Sequence, residues 1–583
     1  MRIVAAAALA AALLGSAPAN ADSTREYYVA RTTRSATPTQ LSAADNAFYR
    51  SLFAAIDRQD WATAQAMLAQ NSDGLLTPIA TAELYTAANS PKVTGDQIVA
   101  WFARGSRLPE AAQLARLAAT RAGATVTLGY PAEQAFYPRG SAPKRVRPRS
   151  VDDGTMPADV KQAILDKITN DDPDGARALL DGVDAVLSSD ARAEWRQRVA
   201  WSYYIENRDP QALAMAQTVQ DGTGAWVAEG DWAAGLAAWR MGDCATADTY
   251  FERAGAGATN WELRSAAYYW ASRAAMRCRQ PQRTAALLRS AAANDETLYG
   301  MLAAEQLGRK LPDPIEQADF TEADWKRLKD SDNVRVAIAL KEIGRDDLAS
   351  EVLLHEAKIA DAKAFAPLSR LARELGLPQT QLYLAYNAPA GAKPDPASRY
   401  PAPKWTPVGG WRVDPALAFA HTLQESAFRG RAVSPASAQG LMQITPITVR
   451  QFAPSLGLSA SEVNIFDPAT NLAFGQQNLE MLRESPATQG ELPKIMAAYN
   501  AGLTPVTRWN SQVNAQNDPL LYMESIPYWE TRAYVATVMR NYWMYERQAK
   551  APSATRAALA ENAWPMFPGK DDGGRVYLSA DKN

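Results

Sequence analysis

The stretch HTLQESAFRGRAVSPASAQGLMQITP, residues 421–446, sets Glu425 into an otherwise apolar helical pattern and follows it with a loop rich in Ser, Pro, Ala and Gly. An ionised carboxylate among apolar neighbours is costly, so Glu425 has a partner, keeps its proton, or performs chemistry. Just upstream, Asp414-Pro415 makes a good helix start, with the aspartate as cap and the proline in the first turn. From Pro415 to Glu425 nearly every side is apolar, which predicts a buried central helix, and Leu417, His421 and Glu425 fall on one face at four-residue spacing. Asp467-Pro468 opens a second helix in the same way, with Leu472, Leu479 and Leu482 at helical spacing. A third runs into MAAYNAG, where Gly502 is placed to stop it, and ESIPYWETRAYVATVMRNYWMYE turns at Ile526-Pro527 before a long amphipathic helix. Residues 401–550 therefore read as one compact, mainly helical domain.

Outward from there the chain stays helical. APAGAKPDPASRYPAPKWTPVGGWR, 388–412, is crowded with Pro and Gly and marks a boundary. Residues 22–136 read as an N-terminal helical region and 158–312 as paired helices. In the latter, Gly235, Ala247, Phe251 and Ala254 are spaced like the second half of a tetratricopeptide repeat, a unit that stacks into a curved solenoid. Residues 313–400 read as a helical linker domain and 551–583 as a polar tail without assigned function. YPRGSAPKRVRPRSVDDGTMP, 137–157, carries five basic residues among prolines and glycines and reads as an exposed, solvated linker or loop. Weak attraction to an anionic polymer is its functional alternative.

Composition removes several function classes. With 61 Lys and Arg against 63 Asp and Glu, the net charge of -2 gives no case for nucleic acid as a partner. Arg2, the apolar run Ile3–Leu14 and the small residues ending at Ala21 read as a secretory leader, 1–21, too short to span a bilayer; no later integral membrane segment is expected. The two histidines, His355 and His421, and the absence of HExxH, CxxC, P-loop or GxSxG patterns argue against zinc, nucleotide and serine-hydrolase chemistry. No cofactor and no metal are expected. Cys244 and Cys278 are either a disulfide between neighbouring helices or two buried small apolar groups.

ESAFRGRAVSPASAQGLMQITP, AAYNAG and ESIPYWETRAYV, in that order, resemble the three signature blocks of the soluble lytic transglycosylases, whose catalytic domain is similar to goose-type lysozyme. The resemblance covers about 410–547, and GLAAWRMGD and YGMLAAEQLG also resemble that family's superhelix. It implies an all-α chain in which an N-terminal helical superhelix, a tetratricopeptide-like ring or arc, precedes a lysozyme-like catalytic domain. It implies a periplasmic enzyme acting on peptidoglycan glycan strands. The family cleaves between N-acetylmuramic acid and N-acetylglucosamine without water and leaves a 1,6-anhydromuramoyl end. A monomer is expected, with protein partners open.

By motif position Glu425 falls on the family's single catalytic acid. A free glutamate, with a pKa of about 4.3, is almost fully ionised at neutral pH, whereas burial favours the neutral acid that can protonate a leaving oxygen. Ser434, Gln443, Tyr499 and Asn500 fall where the family binds sugar, with Tyr499 nearest the reacting centre. Met442, read as core before ligand, is carried with them. Glu524 and Glu530 are the acids of the last block; Glu530 either faces the groove or pairs with Arg532 or Arg540. His421 reads as a packed, hydrogen-bonded core group, with a catalytic role as the alternative. The chain departs from the family's usual pattern at Arg429-Gly430, at Ser437-Ala438, where Gly-Ala is common, and at Thr445, where Met is common. A hydrolytic muramidase, a non-catalytic peptidoglycan-binding scaffold and an interaction hub are the competing readings.

Overall fold

Turns set the architecture of this chain. The structure, a computed structural model, describes residues 37–122, 128–315 and 318–568, with the paired short strands Arg25–Tyr27 and Val576–Leu578. The expected leader, 1–21, lies outside the described residues. In the superhelix, Ala158–Thr169 pairs with Pro173–Asp181, Ser189–Ile205 with Asp209–Gln217, Trp226–Arg240 with Cys244–Gly257, and Trp261–Arg277 with Pro281–Ala291. Each pair reverses at a single left-handed residue: Asp171 (φ 57°), Asn207 (56°), Gly242 (81°) and Arg279 (59°). That conformation ends one helix, and an Asp cap or a Pro just beyond starts the next; Asp172 accepts from the Gly175 N–H and Asp243 from that of Thr246.

The repeat-like spacing marks a packed hairpin. Ala247, Phe251 and Ala254 are buried, and a Cβ at Gly235 would come within 2.5 Å of the Phe251 ring, so the glycine lets the two helices close. Cys244 and Cys278 form a disulfide that ties the start of one helix to the end of the next.

Two hydrophobic cores organise the rest. One joins Leu41–Ala118 to Phe320–Ala388, so the N-terminal region and the linker domain, read as separate units in the sequence, share one interior. Glu342 seals that contact by accepting from the Gln40 and Leu41 N–H groups at 2.7 and 3.1 Å. The other core runs from the superhelix into the C-terminal domain. That domain docks on the superhelix through Tyr204–Ser525 (2.7 Å), Tyr299–Glu524 (2.7 Å) and Arg273–Asp518 (2.6 Å), and meets the linker domain through Arg431–Asp347 (2.9 Å). It therefore touches both the superhelix and the linker domain.

Two readings gain detail. The 137–157 stretch is non-helical and mostly exposed, as expected, yet it is strapped to its neighbours at several points. Tyr137–Pro138 pairs antiparallel with Asn387–Ala388. Arg145 is largely buried, bonded to Glu229 at 2.6 Å, and Arg147 lies 5.1 Å from the Trp529 ring. Ion pairing and stacking on indole offset the cost of taking the Arg145 cation out of water. The polar tail in turn contains the helix Ala554–Ala560. Arg556 pairs with Glu305 at 2.8 Å and Phe567 is buried, because apolar residues punctuate this otherwise polar segment. Among the described residues no helix is long and apolar enough to cross a membrane.

Candidate active site

Asp414 caps the helix Pro415–Glu425 by accepting the Ala416 N–H at 2.9 Å. Pro415 through Thr422 are buried, so this is the domain's central helix. Glu425 is its last residue and only partly covered. The chain then leaves through two successive left-handed residues, Ala427 (φ 51°) and Phe428 (φ 62°), a costly path that the buried Phe428 ring holds by packing near Phe419 and Trp405. The following loop folds on itself. The Ala438 N–H donates to Ser434 Oγ (3.0 Å), and Gln443 Nε2 donates to the Gly440 and Ala432 carbonyls (2.8 and 3.2 Å). Gly440 is left-handed at φ 76°, and a Cβ there would come within 2.2 Å of Asn471 Nδ2. Asn471, on the helix Pro468–Glu484, holds the loop from beneath by accepting the Met442 N–H at 2.8 Å and donating to the Gln439 and Ile465 carbonyls.

The long helix Trp529–Gln548 packs on the Glu425 helix and supplies the partner of the acid. Tyr534 O–H donates to Glu425 Oε1 at 2.6 Å, and Tyr534 lies 2.8 Å from His421 Nδ1. With its own proton committed to Glu425, the phenol oxygen accepts from Nδ1–H. Among the described residues, His421 Nε2 is buried without a partner. Burial pushes the His421 pKa down to about 3, so the ring stays neutral and positions Tyr534. Burial pushes Glu425 up to about 7; the Tyr534 hydrogen bond opposes the shift and the Glu530 charge adds to it. A carboxyl poised there holds a proton in a large share of molecules at neutral pH. Burial, with the charge of Glu425 added, keeps both the Tyr499 and Tyr534 phenols well above the usual range.

The other expected residues divide. Tyr499 O–H donates to the Met442 carbonyl at 2.8 Å, and its ring lies 4.6 Å from that of His421, so it borders the acid. Asn500 Oδ1 accepts from Thr531 Oγ1 at 2.7 Å, which leaves its amide N–H groups to donate. Glu530 is exposed near Glu425. Arg532 donates instead to the Glu524 and Ile526 carbonyls, and Arg540 to Asn541. Ser434 and Gln443 spend polar atoms on their own loop. Met442 is not a ligand: it is fully buried, its sulfur so close to Gly475 that a Cβ there would meet it at 2.0 Å. Glu524 does not face the groove either, since it accepts from Tyr299 of the superhelix. Sequence reasoning missed Tyr534, whose only signal was its place in the ESIPYWETRAYV block, and Asn471, a polar residue in a mostly apolar helix.

Comparison with known proteins matches part of this domain. Residues 409–521 match the family described as Transglycosylase SLT domain. The soluble lytic murein transglycosylase of Escherichia coli K12 is 31% identical over 156 residues, 26% of this chain and 24% of that protein. The chain spans less than half the length of the curated relatives it matches. In fold, the 70 kDa soluble lytic transglycosylase of Escherichia coli superposes with a TM-score of 0.54 at 16% identity, covering 91% of this chain and all of that one. The lytic transglycosylase Slt of Pseudomonas aeruginosa gives 0.51 at 20% identity, covering 88% of each chain. Residues 409–521 thus match the Transglycosylase SLT domain, and the chain as a whole shares the fold of these solved lytic transglycosylases.

Proposed function

We propose that the chain is an exported peptidoglycan lytic transglycosylase, acting in the periplasm, that cleaves the β-1,4 bond between N-acetylmuramic acid and N-acetylglucosamine with Glu425 as acid and then base. The observation that carries this reading is a carboxyl whose pKa is raised to about 7 at the open end of a buried helix, with a phenol as its bonded partner. Glu425 gives its proton to the glycosidic oxygen as the C1–O bond breaks. The substrate's N-acetyl oxygen supports the positive charge at C1. The muramoyl 6-hydroxyl then attacks C1 and returns a proton to Glu425, closing the 1,6-anhydro ring, and this intramolecular nucleophile has a large advantage over water. Tyr499 and Asn500 are placed to hold the N-acetyl group, with Ser434, Gln443 and Glu530 along the saccharide groove.

Glu425→Gln should keep glycan binding and lose about 10²–10⁴-fold in turnover. Retention of activity within threefold of wild type would remove the assignment, and a wild-type chain that binds glycan without turning it over would favour a scaffold. Glu530 supports a second reading. It is an exposed carboxylate close enough for its charge to bear on Glu425, and a second carboxylate can activate water in a hydrolytic muramidase. Mass spectrometry of the digest decides: anhydro ends are one water lighter than the reducing ends of hydrolysis.

A further inference from the structure

Of the 16 tryptophans, Trp261 is the one that stands mostly in solvent, 51% exposed. It opens the helix Trp261–Arg277, whose cap residue Asn260 also donates to the Lys144 carbonyl at 2.9 Å and so fastens the 137–157 strap beside the ring. The Arg264 guanidinium lies 4.9 Å from the ring centroid and steadies it. Strap and superhelix enclose a cleft of about 530 Å³, within the usual range for small-ligand sites. Ser141, Lys144 and Val146 form its strap side; Thr259, Trp261 and Asn294 form the other. The acids at its floor are already neutralised, Asp295 by Arg547 at 2.9 Å and Glu296 by Arg399 at 3.6 Å.

We infer that this cleft is a second saccharide site, distinct from the Glu425 groove, that holds an amino-sugar glycan against the Trp261 indole. The inference rests on the proposed peptidoglycan substrate. A pyranose presents an apolar C–H face that an indole covers, while its hydroxyl and N-acetyl groups need neutral donors and acceptors of the kind Ser141, Thr259 and Asn294 carry. Pairing of Asp295 and Glu296 removes the attraction for an amine, and Lys144 favours the acid-bearing muramoyl sugar. A strand engaged here is held by the superhelix while another part of it reaches the catalytic groove, which raises its effective concentration there.

The test uses the full-length chain with Glu425→Gln, acrylamide quenching of tryptophan fluorescence and peptide-free glycan strands as the probe. Glycan should protect a quenchable fraction that is missing in Trp261→Phe, and Trp261→Ala should weaken glycan binding by about three- to tenfold. Protection by free stem peptide but not by glycan would overturn the proposal, because the occupant would then be a peptide. Unchanged quenching, with a wild-type chain that turns glycan over, would overturn it too and leave the proposed function standing. Protection of Trp261 in a chain whose wild type shows no turnover would support the saccharide site and remove the catalytic reading.

Discussion

Glu425 and Glu524 are near twins in their immediate bonding and opposites in their surroundings. Each is a carboxyl pushed up by burial, and each accepts a short hydrogen bond from a tyrosine, 2.6 Å from Tyr534 and 2.7 Å from Tyr299. Around Glu524 the charges of Arg145 and Arg532 pull the other way against that of Glu229; around Glu425 no cation among the described residues does so, and the charge of Glu530 pushes further up. A carboxylate among arginines is a docking charge, whereas one left with a phenol and an apolar wall is a proton donor. Both sit against the same helix, Trp529–Gln548, Glu425 through Tyr534 and Glu524 through the Arg532 bond to its carbonyl.

The comparison is tested most strongly at the docking side. Glu524→Gln keeps the shape and can still accept from Tyr299, but it leaves Arg532, whose pKa burial already pushes down to about 9, with less compensating charge. We expect a loss of about 2–3 kcal/mol in unfolding free energy, measured by denaturant titration, with turnover of the remaining folded protein within a few-fold of wild type. A loss of turnover without a loss of stability would mean the two acids had been assigned the wrong way round.

Glu425→Gln should do the reverse. An acid whose pKa is higher folded than unfolded binds its proton more tightly in the native state, so its stabilising effect is complete at low pH and fades as pH rises from about 4.5 through about 7. At pH 8 the wild type holds a poorly solvated carboxylate, and the glutamine does not. The variant should therefore be more stable there by about 1–2 kcal/mol, and the gain should vanish near pH 4. Equal stability at both pH values would mean that Glu425 is well solvated.

Tyr534→Phe sharpens the same point. The phenol favours the charged form of Glu425, so removing it raises the acid's pKa. Turnover requires the protonated acid and should fall as pH rises through about 7 in the wild type; in the variant that limb moves to higher pH. The maximal rate should drop by about tenfold, because the carboxyl loses the group that orients it.

The Glu425 side was largely legible in the sequence, and the docking side was not. Asp414-Pro415 and Asp467-Pro468 start helices as read, because cap and first-turn chemistry are local. Glu425 stood out because a charge in an apolar helix is anomalous wherever the rest of the chain lies. Tyr534 is 109 residues away, and only packing of two helices brings its phenol to the acid. Arg145 looked solvated because a run of cations carries no mark of the Trp529 and Glu229 that cover it. The interior shared by Leu41–Ala118 and Phe320–Ala388 was hidden for the same reason: alanine periodicity gives the buried face of a helix and says nothing of its partner. Met442 and Gln443 are neighbours in sequence, yet one is sealed in the core and the other half-open, a division set by the left-handed backbone at Gln443 (φ 50°).

The smallest expected effect lies in the loop that follows Glu425. Ser437 adopts φ 61°, where a side chain strains the backbone and glycine does not. The side chain of Ser434 already satisfies the Ala438 N–H, so the turn does not depend on the Ser437 hydroxyl. Ser437→Gly should relieve about 1 kcal/mol of native-state strain and give part of it back through a more flexible unfolded chain, for a net gain of about 0.5 kcal/mol in thermal or denaturant unfolding. Because the loop carries Ser434 and Gln443 but not the acid, the pH limb of turnover should stay in place while substrate affinity shifts slightly. A displaced pH limb would show that this loop, and not only the Glu425 helix and Tyr534, tunes the proton donor.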